Sequence, residues 1–98
     1  MIHDLTIGHL DPAAIRDCVA VALKPLDREV VARVLVAFPG LKVEEREGYL
    51  IAPWHGREDG DRGEAFAARL QAETGCLVCD RRNGRVVELA HPLVARTA

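Results

Sequence analysis

Apolar residues in this chain repeat at two spacings. One is helical. Ile15, Cys18, Val19, Ala22 and Leu23 fall at i, i+3, i+4, i+7 and i+8, which predicts one buried helix face. Asp11-Pro12 supplies the entrance, because aspartate accepts from the first free amides and proline at the first helical position gives up no hydrogen bond. Pro25 disfavours helical geometry in Lys24, so this helix is expected to run up to Lys24. Asp27 then caps a second helical run through Val31, Val34, Leu35 and Phe38, stopped by Pro39-Gly40. Its valines favour extended backbone, leaving a buried strand over residues 30–38 as the alternative. Phe66, Ala67, Leu70 and Thr74 trace a third stripe, closed by Gly75 as the left-handed stop.

The other spacing is two. Between Leu41 and Trp54 it predicts a hairpin turning at Glu47-Gly48, with Arg46 opposite Tyr49, Glu45 opposite Leu50 and Glu44 opposite Ile51. Leu41, Val43, Leu50, Ala52 and Trp54 then face the core. Lys42, Glu44, Arg46, Tyr49 and Ile51 face away, and a one-residue slip would exchange the two sides. A second hairpin is predicted at Asn83-Gly84, the turn pair best suited to the positive φ values of a type I′ loop. Its register sets Val78 against Leu89, Asp80 against Val87 and Cys76 against His91 on one side, with Leu77, Cys79, Glu88 and Ala90 on the other. His3 to Leu10 alternates weakly and predicts a short edge strand or an ordered arm, and His55 to Gly63 is a polar, glycine-bearing loop. Two amphipathic hairpins, a possible N-terminal strand and about three one-faced helices predict an α+β two-layer sandwich. Its mostly antiparallel sheet is covered on one face by the helices.

Composition sharpens this only slightly. The 98 residues, 49% hydrophobic, predict one globular domain over residues 1–98. A core of this size leaves a thin margin of stability that pairing with a second copy would widen. The net charge of −2, with both signs interspersed, gives no global field for nucleic acid or anionic lipid. No apolar run approaches the ~20 residues that cross a bilayer, and the start at Met1-Ile2-His3-Asp4 lacks a charged-then-apolar leader, so the expected location is the cytoplasm. Three cysteines without framework spacing point to reduced, mostly buried thiols.

Candidate chemistry is sparse, and no motif carries a reaction with useful specificity. Cys76 and Cys79 have knuckle-like spacing, but on a strand residues three apart point to opposite faces, so no metal and no cofactor is expected. The predicted register sets Cys76 beside His91, the minimum for a thiol-dependent enzyme, though without an identifiable oxyanion donor. Glu58, Asp59, Asp61 and Glu64 do not keep the spacing of a calcium loop. Arg81, Arg82 and Arg85 make a basic hairpin tip that could serve a nucleic-acid-binding adaptor; Asp80 and Glu88 are expected to neutralise it.

Tyr49 and Ile51 are apolar residues on the outward side of the first hairpin, where polar ones are expected, and Trp54 with His55 sits at the sheet rim beside the loop. The leading expectation is therefore a small protein-binding or self-associating module without catalytic activity. It would contact another protein or a second copy through Tyr49, Ile51, Trp54 and His55.

Overall fold

The computed structural model describes residues 2–89. The elements run β1 (Asp4–Leu10), α1 (Pro12–Arg16), β2 (Ala22–Lys24), α2 (Arg28–Leu35), β3 (Glu44–Arg46), β4 (Tyr49–Pro53), α3 (Gly60–Thr74) and β5 (Leu77–Asp80). The strands form one five-stranded sheet in which every pairing is antiparallel. With the helices packed on it, this is the α+β sandwich that the alternation predicts.

The N-terminal segment is neither an arm nor an edge. Leu5, Thr6 and Ile7 pair with Ala52, Ile51 and Leu50 of β4 and also with Asp80, Cys79 and Val78 of β5, so β1 lies between those two strands. His9 and Leu10, past a register irregularity, pair with Lys24 and Ala22 of β2. In β1 side chains on both faces of the sheet are buried. Leu5 and Ile7 fill one, while Thr6 and Leu10 are buried on the other, which is why its alternation in sequence is blurred.

Hydrophobic side chains sort by face. Leu5, Ile7, Leu50, Ala52, Cys76 and Val78 point inward against Val34 of α2 and Phe66, Ala67 and Leu70 of α3. Leu10, Cys79, Tyr49 and Leu77 lie on the other face, joined by Ile15 of α1. The helices therefore divide, with α2 and α3 on the inner face and short α1 against the outer one. In the interior, Phe38 meets Phe66 edge to face at 5.9 Å between centroids.

α1 stops well before Lys24. Its last turn closes as a Schellman motif: Val19 N–H donates to the Ala14 carbonyl and Cys18 N–H to that of Ile15, with Cys18 left-handed at φ 59° where glycine is usual. The chain then extends, Asp11 N–H donates to the Val21 carbonyl, and Ala22–Lys24 becomes β2. Helical spacing in residues 15–23 was thus partly coincidental. For residues 28–38 the helix prevails over the strand alternative at Arg28–Leu35, because Asp27 caps it by accepting from Glu29 N–H at 2.9 Å.

The first hairpin has the expected register, Arg46 with Tyr49, Glu45 with Leu50 and Glu44 with Ile51. Glu47 and Gly48 are both left-handed, at φ 43° and 93°, as a type I′ turn requires.

The second hairpin does not follow the Asn83-Gly84 expectation. Asp80 accepts from Arg82 N–H through its side chain and from Gly84 N–H through its carbonyl, and Asn83 Oδ1 accepts from Arg85 N–H. These local bonds compete with a two-residue loop and open it to Arg81–Gly84, with only Gly84 left-handed. Asp80 N–H now donates to Arg85, Val87 N–H to Val78, and Cys79 faces Val86 in a single bridge. A shift of two preserves the faces, so Val87 and Leu89 still pack on the core. Residues 90–98, including His91, lie outside the described residues.

The loop expected over 55–63 also ends early. α3 begins at Gly60, and Gly60 and Gly63 are buried where a Cβ would run into the carbonyl oxygens of Trp54 and Pro53 respectively. Gly75 closes the helix at φ 70°, as expected. Among the described residues no helix is long and apolar enough to cross a membrane.

Candidate protein-binding face

Of the candidate residues, Tyr49 and Ile51 lie on the outer face of the sheet, and Tyr49 lines a cleft there. That part of the face is lined from β1 by Thr6, from β4 by Tyr49 and from β5 by Cys79; Asp80, opposite Leu5 in the register, borders it at the end of the strand. The segment from Ile15 to Ala20 forms one wall and the 81–84 turn the other. Between them lies a cleft of about 530 Å³, which Ile2 also lines. Three local features set its shape. Gly8 permits the close approach of Tyr49, since a Cβ there would come within 2.9 Å of the Tyr49 Cβ. Gly84 packs against the carbonyl of Ile15, fixing the turn on the end of α1. The Schellman turn at Cys18 throws Val19 outward, where it is 51% exposed, close to the 55% of Ile2.

The carboxylates of the cleft are already satisfied. Asp80 accepts from His3 Nδ1 at 2.9 Å with one oxygen and from Arg82 N–H at 2.9 Å with the other. Asp4 holds Arg57 in a two-point pair, 3.0 Å to Nε and 3.1 Å to a terminal nitrogen, and this contact raises the guanidinium pKa above its ordinary value. The arginines divide into paired and unpaired. Arg28, Arg33, Arg46, Arg57, Arg62 and Arg69 each meet a carboxylate. Arg16, Arg81, Arg82 and Arg85 are all exposed, and none has an ion pair among the described residues. Neither Asp80 nor Glu88, expected to neutralise the tip, forms an ion pair with these arginines among the described residues; Asp80 accepts instead from His3 and the Arg82 amide.

Tyr49 lies on the outward side as expected, but half-buried against the Leu10, Ile15 and Cys79 cluster. Ile51 is on the same side and only 7% exposed, so it is largely closed to a partner. Trp54 is half-buried, donates from Nε1 to Glu64 at 2.8 Å and lies 4.0 Å from the exposed His55 ring, with His3 edge-on at 6.1 Å. Trp54 thus braces the start of α3 against the sheet end. Cys76 and Cys79 are buried on opposite faces, and burial raises both thiols, Cys79 from 9.0 to about 11. Among the described residues no group of His, Cys, Asp and Glu could hold a metal ion.

Ile2 and Arg16 were not singled out by pattern, Val19 was expected on a buried helix face, and Asp80 was expected to neutralise the arginine tip. His3 and Asp80 are 77 positions apart, and nothing local in the chain signals their contact. No protein-family model, curated protein or solved structure matches this chain.

Proposed function

We propose that this chain is a small protein-binding module without catalytic activity, acting in the cytoplasm, and that its outer sheet face receives the partner. The observation that carries this proposal is the uneven cover of the sheet. Among the described residues α2 and α3 close the inner face, whereas on the outer face α1 contributes Ile15 and a cleft rimmed by exposed Ile2 and Val19 remains between the 15–20 segment and the 81–84 turn. Strand addition is a poorer mode of binding here, because β3 is short, fully exposed and charged at Glu44, Glu45 and Arg46, a composition that discourages edge pairing. Thiol catalysis is disfavoured as well. Cys76 is 3% exposed, and its raised pKa opposes the thiolate that such chemistry needs.

The test compares wild type with an Ile2→Glu/Val19→Glu double variant, both immobilised and exposed to an extract of the native host. A protein retained by wild type and lost by the variant supports the outer face as the binding surface; identical retention contradicts it. Light scattering over a concentration series separates the two kinds of partner. A mass that doubles for wild type and not for the variant identifies a second copy as the occupant.

A further inference from the structure

Resting on that reading, we propose that the partner presents an extended acidic segment whose apolar side chain enters the outer-face cleft while its carboxylates meet Arg81, Arg82, Arg85 and Arg16. The distribution of ion pairs points there. Six arginines elsewhere on the described surface have carboxylate partners; of the four without one, Arg81 and Arg82 line the cleft, Arg85 follows them just past the turn, and Arg16 follows Ile15, onto which that turn packs through Gly84. Asp4 and Asp80 line the same cleft, yet the first is held by Arg57 and the second by His3 and the Arg82 amide, so neither competes for the free guanidinium groups.

The apolar half of the ligand follows from the walls. Ile2, Ile15, Val19 and Ala20 offer hydrocarbon within reach of Arg81 and Arg82, which suits an apolar residue flanked by carboxylates. Nucleic acid fits less well. The cleft lining has one aromatic among the described residues, Tyr49, already half-buried, which leaves little for bases to stack on.

Fluorescence anisotropy of the whole chain tests this with three dye-labelled probes: an alternating Glu-Leu hexapeptide, its Gln-Leu counterpart and a single-stranded oligonucleotide of matching charge. The Glu-Leu peptide is expected to bind at least tenfold more tightly than the Gln-Leu peptide and to weaken as salt rises. An Arg81→Ala/Arg82→Ala/Arg85→Ala variant, with exposed side chains only and folding verified by circular dichroism, is expected to lose at least tenfold. No measurable Glu-Leu binding, equal binding of both peptides, indifference to the triple substitution, or tighter binding of the oligonucleotide would each overturn the proposal. Equal binding of both peptides that is abolished by Ile2→Glu/Val19→Glu would overturn only the acidic specificity and leave the protein-binding face standing.

Discussion

At the scale of single residues, the thiols and the buried glycines carry the clearest consequences. The Cys79 thiol is 1% exposed and pushed up to about 11, whereas in the unfolded chain it titrates near its ordinary 9.0. The unfolded state therefore releases its proton first as pH rises. Stability from this group is intact below pH 9 and is lost between 9 and 11, by roughly 1 kcal/mol at pH 10. Urea titrations from pH 8 to 10 should show a stability decline that is shallower in Cys79→Ala than in wild type, whatever the offset between them; parallel declines would contradict this. Gly63 is a second such point. Because a Cβ there would meet the Pro53 carbonyl, Gly63→Ala should destabilise the protein by about 1–3 kcal/mol in the same assay, through overpacking rather than helix propensity, which favours alanine. In sequence, Gly63 reads as the end of a loop. Only the backbone crossing it, distant in pattern though near in chain, shows that it is a packing residue.

At the scale of elements, the first hairpin was legible and the second only in part. Glu47-Gly48 has little competition, since neither flanking side chain hydrogen-bonds the turn amides among the described residues, and the alternation of Leu50 and Ala52 against Tyr49 and Ile51 fixed the register. Glutamate at φ 43° is still strained, and Glu47→Asn should raise stability by about 0.5–1 kcal/mol, read as a higher urea midpoint at unchanged slope. A lower midpoint would mean that the turn is not of the type I′ form. At Asn83-Gly84 the more favourable dipeptide lost its two-residue loop to Asp80 and Asn83, whose side chains satisfy the amides of Arg82 and Arg85. The faces of β5 survived because the shift was even. α1 shows the opposite failure: residues 15–23 have helical spacing, but three of the side chains it assigned to a buried face, Cys18, Val19 and Leu23, are exposed. Periodicity reports a stripe, and it does not report whether anything lies against that stripe.

At the scale of the whole molecule, the fold class followed from patterns that many sequences share, while the candidate site depends on contacts the pattern does not encode. The cleft exists because the chain after α1 returns over the outer face, β1 runs between β4 and β5, and the 81–84 turn folds back onto α1. The last two join residues far apart in the chain. Tyr49 was found from sequence because its face is set by local alternation. Ile2, Val19 and Arg16 were not, because their importance lies in what the tertiary structure leaves uncovered; Arg81, Arg82 and Arg85 were legible as a basic tip, but not their lack of carboxylate partners among the described residues. The central claim is that this outer face, and not the helix-covered one or the Trp54 rim, is where a partner docks. Amide hydrogen exchange of the whole chain, with and without saturating Glu-Leu hexapeptide, tests it most directly. Protection is expected over residues 2–8, 15–20 and 79–86 with little change in α2 and α3; protection concentrated in α2, α3 or around Trp54 and His55 would contradict it.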